Sequence, residues 1–380
     1  MPVEHSSSSR SILVVAGEAS GDAHAAAIVR ELRTLLPGTK FFGIGGDRLA
    51  EEGQEQLYHI SEMQVTGFVE VARHYKFFRK ALQRIVREVV HRRPALILLV
   101  DYPGFNLRLG RALSNLSIPI CHYVAPQVWA WREGRVRFLR DYVDKLIVLF
   151  PFEIKFFAER GVKAAYFGHP HVTRIEEERE SRRVEAEKLI GNDPRPIVAY
   201  LPGSRQNEIE RHMEVLSGVA QRLGSAYRHV IPLADSLSVE QQRDFVSRYS
   251  SFDIHNNAET VLEAATVGIV KSGTSTLQAA AIGIPFVAVY RASRLSYLLA
   301  RSLAKVRFLS IVNILADRLV VQEFIQDDMT EENLFTAIQS LLNQSDLREE
   351  MRGEYRSIID PLRGTEPYRK SAAAIAAMIS

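Results

Sequence analysis

The chain has 380 residues, of which 46% are hydrophobic and 24% charged, a globular balance that excludes a disordered or fibrous protein and gives room for two domains, each with its own core. Lys and Arg total 48 against 45 Asp and Glu, and this net charge of +3 is too small an excess to indicate a nucleic-acid protein. The lone cysteine, Cys121, can form neither an internal disulfide nor a zinc–cysteine cluster, which fits a reducing compartment.

Residues 1–10 are polar and read as a disordered start without the apolar stretch of a signal peptide. No run approaches the roughly 20 apolar residues needed to span a bilayer, so the expectation is a soluble, cytoplasmic protein with membrane-surface binding left open. Ser11–Ala16 is a short apolar run of the kind buried on both faces of a parallel sheet. The turn Gly17-Glu18-Ala19-Ser20-Gly21-Asp22 follows, then a predicted helix from Ala23 to Leu36. Phe41–Ile44, Ala95–Val100, Ile118–Val124 and Lys145–Phe150 continue the strands, with helical stretches between them. This alternation is the pattern of a doubly wound α/β layer.

The pattern breaks at the charge-rich residues 176–196 and resumes at Ile197–Leu201, Arg228–Leu233, Val267–Val270 and Pro285–Tyr290. The expected organisation is one domain over 11–170, a second over 171–345, and terminal helices over 346–380 that either close the second domain or cross to the first. Two tandem α/β units place a ligand cleft between them.

Several familiar signatures are missing. Gly43-Ile44-Gly45-Gly46 starts like a dinucleotide fingerprint, but Arg48 stands at the third glycine position. There is no Walker A spacing and no H-E-x-x-H, and His169-Pro170-His171 reads as a structural turn. In the second half, Ser272-Gly273-Thr274 follows a strand and opens a helix, leaving backbone N–H groups where an anion gains roughly 0.3 to 2 kcal/mol. A plain helix cap explains the same residues. Leu201-Pro202-Gly203-Ser204-Arg205 makes a second strand-to-helix turn, with Arg205 either aimed at phosphate or paired with Glu208. Two such turns on one sheet favour a phosphate site.

In the first half, Asp101 leaves the strand Ala95–Val100 at its carboxyl end, where it can accept a proton or close a turn into Pro103. Glu18 and Asp22 offer further carboxylates, although Ser20 or Asp22 also suits a helix cap. From Phe68, the residues Phe68, Val71, Ala72, Tyr75 and Phe78 keep helical spacing with Arg73, Lys76, Arg79 and Lys80 interleaved. That stripe suits an interfacial helix on anionic lipid, but by itself such spacing favours a core-facing amphipathic helix.

Taken in order, these motifs resemble the lipid-A-disaccharide synthase family. The landmarks run from Gly17–Asp22 through Val65–Val71, Asp101-Tyr102-Pro103-Gly104-Phe105-Asn106, His122–Arg132 with its Val-Trp-Ala-Trp-Arg, Pro151-Phe152-Glu153, Gly168-His169-Pro170, Leu201–Arg205 and Ser272-Gly273-Thr274 to Tyr290-Arg291. The resemblance implies an inverting glycosyltransferase of GT-B fold, two Rossmann-like domains facing a central cleft. It implies transfer of 2,3-diacylglucosamine from UDP-2,3-diacylglucosamine to the 6-hydroxyl of 2,3-diacylglucosamine 1-phosphate (lipid X), giving the β-1,6 disaccharide and UDP.

Carried over, Asp101 is the expected base, and the Gly17–Asp22 turn, with Glu18 and Asp22 as further catalytic candidates, lies across the cleft beside the reacting sugars. Arg205, Ser272, Gly273 and Thr274 hold the pyrophosphate, so no metal or other cofactor is required. Gln278 reaches the ribose, and Ser20, Asn106, Trp129, Trp131 and Arg132 line the acceptor side. Phe68, Val71, Tyr75 and Phe78 form the membrane face toward an anionic inner-membrane surface, and a homodimer is left open. This sequence departs from the family pattern at Gly104, where Asp is common, at Gln278, where related enzymes place Glu, and at Gln127 before Val128-Trp129. The competing readings are another UDP-sugar enzyme of the same fold, such as an N-acetylglucosaminyltransferase or a UDP-GlcNAc 2-epimerase, and a non-catalytic lipid-binding protein.

Overall fold

The computed structural model describes residues 10–63, 71–130, 133–234, 237–294, 297, 301 and 306–379, with side chains in the 71–92 helix described from Lys76 onward. Phe68, Trp131 and Arg132, and the side chains of Val71 and Tyr75, lie outside the described residues. The chain divides into two compact units, one of residues 1–170 with 364–380 and the other of residues 171–363.

The first unit is built on seven parallel strands: β1 Ser11–Ala16, β2 Lys40–Gly45, β3 Glu55–His59, β4 Leu96–Val100, β5 Ile120–Tyr123, β6 Lys145–Val148 and β7 Ala164–Tyr166. Their order across the sheet is β3-β2-β1-β4-β5-β6-β7. Parallel strands need crossover helices that cover both faces, which is why β1 and β4 are apolar at every inner position. Ile12, Val14 and Ala16 pack on one side under the helix Ala19–Leu35, while Leu13 and Val15 face the helices Val71–Arg92 and Pro103–Leu113. Each fully buried Val or Leu contributes ~1.5–3 kcal/mol.

The second unit has six parallel strands: β8 Ile197–Leu201, β9 Arg228–Pro232, β10 Asp253–His255, β11 Val267–Lys271, β12 Phe286–Tyr290 and β13 Glu323–Ile325. Their order is β10-β9-β8-β11-β12-β13. In both sheets the sequence order reverses beside the first strand, β1 next to β4 and β8 next to β11. Those two junctions are where carboxyl-end turns splay apart and leave room for ligands.

The segment 346–380 does not behave as one piece. The helix Ser345–Ile359 belongs to the second unit, where Tyr355 stacks on Phe286. The helix Pro367–Ala376 belongs to the first, and its Ala372 and Ile375 enter the core beside Ala25, Ile28 and Leu32. The chain re-enters the first unit at Gly364, where a Cβ would come within 2.7 Å of the Gly168 Cα.

Phe78 is turned toward the protein. Its ring, partly buried, meets Phe105 at 6.3 Å and packs against the core beneath the 71–92 helix while also lining a surface groove. No described helix is long and apolar enough to cross a membrane.

Candidate active site

Asp101 leaves β4 with φ of +47° and Tyr102 follows at +50°, two consecutive left-handed residues without glycine. On the neighbouring strand Val124 leaves β5 at +64°. Such conformations cost of order 1–3 kcal/mol each and persist where surrounding structure over-determines them. The restraint is visible. The Asp101 N–H donates to Tyr123 O at 2.9 Å, and Asn106 Nδ2 donates to Asp101 O at 2.8 Å while lying 3.3 Å from both Val15 O and Val100 O. The turn throws the Asp101 carboxyl away from the strand axis and into a cavity.

That cavity, of about 250 Å³, is lined by Glu18, Asp101, Pro103, Val124–Val128, Arg135, Leu149, Phe150 and Glu153. Burial, with the neighbouring Glu18 charge adding to it, pushes the Asp101 carboxyl up to about 6 against a stabilising N–H from Tyr102. Glu18 itself is exposed at the N-cap position of the 19–35 helix. Ser20 is exposed in the first turn of the same helix.

The structure gives other expected site residues a different job. Asp22 is 3% exposed and its carboxylate accepts backbone N–H groups from Gly46 at 2.6 Å, Arg48 at 3.2 Å and Leu49 at 3.3 Å. It closes the N-terminus of the short helix Asp47–Glu51, so it is a structural cap rather than a catalytic carboxylate. Gly46 is required there because a Cβ would lie 2.7 Å from the Asp22 Oδ2. Asn106 is fully buried and clamps the Asp101 turn from behind, not from the cleft side. The Trp129 indole N–H donates to Glu153 Oε1 at 3.0 Å and its ring meets Phe152 edge-on, so the tryptophan locks the 151–158 helix.

Glu153 is a cavity-lining carboxyl that sequence reasoning did not name as a site residue. It is 2% exposed and accepts N–H groups from Leu149 at 3.2 Å and Phe150 at 3.0 Å. Burial nevertheless pushes its carboxyl up to about 7. Its signal was Pro151 at the first helical position with Glu153 two residues on, a helix-start pattern at a strand end.

In the second unit, β8 and β11 are hydrogen-bonded neighbours, with Leu201 opposite Val270. The turns after them therefore lie side by side. Glu208 pairs with Lys271 Nζ at 3.0 Å, and this ion pair spans the two turns. Arg205 is thereby released from Glu208, and its exposed guanidinium has no carboxylate partner among the described residues. Buried His212 ties the backbone together from beneath: Nδ1 donates to Pro202 O at 2.7 Å and Nε2 accepts the Arg291 N–H at 2.9 Å. That pattern requires a neutral ring, and burial lowers the His212 pKa accordingly.

Gly273, at φ of +142°, starts the helix Thr274–Ile282 with no side-chain cap, and Thr274 stands exposed beside it. Ser272 differs from expectation: it is 7% exposed and its hydroxyl donates to Leu309 O at 2.7 Å, so the fold uses it. Gln278 turns its amide to Glu259 Oε1 at 3.3 Å, in a cluster where Arg174 also binds Glu259 and His171 lies 3.7 Å away.

The structure thus brings Glu18 and Asp101 into one cavity, and Arg205 with Gly273 and Thr274 onto one sheet edge.

A family model described as lipid-A-disaccharide synthetase matches residues 12–377. The chain is 37% identical over 361 residues to the lipid-A-disaccharide synthase of Acidobacterium capsulatum, covering 91% of this chain and 90% of that one. It is 38% identical over 345 residues to the enzyme of the same name from Myxococcus xanthus, with 90% of each covered. Among solved structures, the calicheamicin glycosyltransferase aligns with a TM-score of 0.59 at 16% identity, over 97% of this chain and 98% of that one. UDP-GlcNAc 2-epimerase from Neisseria meningitidis aligns with a TM-score of 0.60 at 12% identity, over 97% and 99%. At those identities the solved structures show the shared fold, two parallel-sheet α/β domains of the GT-B class.

Proposed function

The chain belongs to the lipid-A-disaccharide synthase family, and from that premise we propose which substrates it joins and which of its groups do the work. The enzyme is a glycosyltransferase that makes the lipid A disaccharide. Its donor is UDP-2,3-diacylglucosamine and its acceptor is 2,3-diacylglucosamine 1-phosphate. The acceptor 6-oxygen attacks the anomeric carbon as the bond to the UDP oxygen breaks. Its proton passes to the enzyme, and the departing electron pair leaves on UDP with inversion at carbon.

Asp101 is the proton acceptor. The observation that carries this role is its placement: a left-handed residue that aims a carboxyl into a cavity where burial and Glu18 raise its basicity to about 6. A carboxylate of ordinary acidity is a poor base, and one poised nearer to neutrality takes a proton more readily while staying ionised at pH 7. Glu18 serves by maintaining that field. Arg205 and the open N–H groups at Gly273 and Thr274 receive the pyrophosphate and oppose the charge that grows as UDP departs. Because both substrates carry acyl chains, the enzyme meets them at the cytoplasmic membrane surface as a peripheral protein.

The deciding measurement is UDP release from UDP-2,3-diacylglucosamine with and without the acceptor. Release that depends on the acceptor and falls about 10²–10⁴-fold in Asp101→Ala supports the reaction and the base together. Release that survives in Asp101→Ala moves the base to Glu18. No release from the wild type removes the substrate assignment.

A further inference from the structure

A second concave site borders the Asp101 turn, and the mechanism above leaves it unused. It measures about 290 Å³ and is lined by Phe78, Arg79, Leu82, Tyr102, Gly104, Phe105 and Arg108. Its walls come from the 71–92 helix and from the first turns of the 103–113 helix. The aromatic floor is continuous, with Tyr102 stacked on Phe105 at 5.9 Å and Phe78 against Phe105 at 6.3 Å. Two guanidiniums stand at the rim of this apolar floor. Arg108 donates to Gly104 O at 3.0 Å, which holds it back over the helix start. Arg79 is exposed, and neither arginine has a carboxylate partner among the described residues.

Tyr102 joins the groove to the base. Its backbone follows Asp101 directly, and its ring packs so closely on Gly17 that a Cβ there would lie 2.2 Å from it. Its hydroxyl is anchored on Met63 O at 3.1 Å. The cavity holding Asp101 includes Pro103 and the groove includes Tyr102 and Gly104, so both border the same four-residue turn.

An apolar trough with a cationic rim fits a ligand that is greasy along its length and anionic at one end. We propose that this groove holds the acceptor lipid, with an acyl chain along Phe78, Leu82 and Phe105 and its phosphate monoester against Arg79 and Arg108. The inference rests on the acceptor assigned above and adds the residues that distinguish a phosphorylated acylsugar from an unphosphorylated one. Gly104 fits the arrangement. A Cβ there would meet nothing within 4 Å, so the bare backbone leaves the floor between the arginines open.

The test is UDP release by the full chain at fixed donor, with the 1-phosphate acceptor and with its 1-hydroxyl analogue. Parallel calorimetry uses tetradecyl phosphate, tetradecanol and inorganic phosphate in detergent. In Arg79→Ala with Arg108→Ala, KM for the 1-phosphate acceptor should rise about 10- to 100-fold, as loss of charge-assisted contacts requires, with kcat within about threefold. KM for the hydroxyl analogue should stay put. Gly104→Leu, which fills the floor at a position free of backbone strain, should weaken long-chain acceptors most. Each methylene it displaces costs about fourfold in affinity.

Tetradecyl phosphate should bind the wild type and not the double variant, and inorganic phosphate should compete weakly. A double variant whose KM values match the wild type overturns the groove while the reaction stands. A wild type without turnover overturns the reaction, and the tetradecyl phosphate arm then judges the groove by itself. Equal binding of tetradecanol and tetradecyl phosphate overturns the phosphate role of the arginines.

Discussion

The two units meet the tasks proposed for them by opposite means. In the first, the proposed base is made by confinement: a carboxyl forced from a strand end by two left-handed residues, mostly shielded from water, and raised to about 6. In the second, the groups proposed to hold the diphosphate are left open: an exposed guanidinium and a helix end with no side-chain cap. Their supports are hidden instead, in the Glu208–Lys271 ion pair and the buried His212. A base must be made unlike its free form to act at neutral pH, whereas a diphosphate is bound well by ordinary donors held in place. Strain is therefore concentrated at the proposed base.

The sharpest way to break this contrast is Asp101→Asn. Activity should fall about 10²–10⁴-fold. Stability should move the other way. A carboxyl pushed from 3.8 up to about 6 costs the folded state about 3 kcal/mol once ionised, so the neutral amide should raise stability by about 1–3 kcal/mol at pH 8. The sign follows from proton binding. Between about pH 4 and 6 the folded state binds more protons than the unfolded one, so this group's contribution falls as pH rises through that window and the penalty is complete above 6. Thermal melts of both proteins at pH 8 and pH 4 measure it, and the difference between them should shrink at pH 4. For the wild type, kcat/KM should decline as pH drops below about 6, where Asp101 becomes protonated.

The next largest effect belongs to the open side. Arg205→Ala should cost about 10²–10³ in kcat/KM, the range for removing a donor to developing charge, with stability changed by less than about 0.5 kcal/mol because the side chain is exposed. A large fall in melting temperature would show that Arg205 is built into the fold, and the contrast between the two units would fail. Arg205→Lys should recover only part of the loss, since an ammonium lacks the two-pronged match to phosphate.

Between these sits Asn106, which belongs to the confined side without touching the cavity. Asn106→Ala removes the clamp on Asp101 O and should lower stability by about 1–3 kcal/mol. It should also move the acid limb of the pH–rate profile, because a relaxed turn lets the carboxyl return toward water. A variant that loses stability with an unmoved profile would reduce Asn106 to a packing residue.

How much of this was legible in the sequence follows the same division between interior and edge. The nine strands expected from apolar runs are all present, and the four that were not expected are β3, β7, β10 and β13. These are the outermost strands of both sheets. An edge strand three to five residues long, such as Asp253–His255, has neighbours on one side only and needs no continuous apolar run, so periodicity carries no trace of it. Residue types marked the turns at Asp101, Arg205 and Gly273 because glycine, proline and charge at a strand end are local features. They did not reveal which polar groups the fold consumes. The Asp22 carboxylate faces N–H groups 24 to 27 residues away, and the Ser272 hydroxyl meets a carbonyl 37 residues away. Their sequence neighbourhoods resemble ligand sites because a cap and an anion site ask for the same chemistry.

Ser272 gives the smallest predicted effect and the finest test of that distinction. Its hydroxyl donates to Leu309 O, and its backbone N–H to Val289 O at 2.8 Å, so both donors are engaged within the fold. Ser272→Ala leaves one buried carbonyl without its partner and should cost about 1 kcal/mol of stability. UDP affinity, measured by calorimetry, should change less than twofold. Thr274, one residue past the glycine and exposed, is the contrasting position: Thr274→Val keeps the shape, removes the hydroxyl and should weaken UDP by about 3- to 10-fold. If the two variants exchange roles, with Ser272→Ala losing UDP and Thr274→Val losing stability, the hydroxyl of Ser272 leaves Leu309 for the ligand, and the second unit rearranges on binding rather than presenting a finished site.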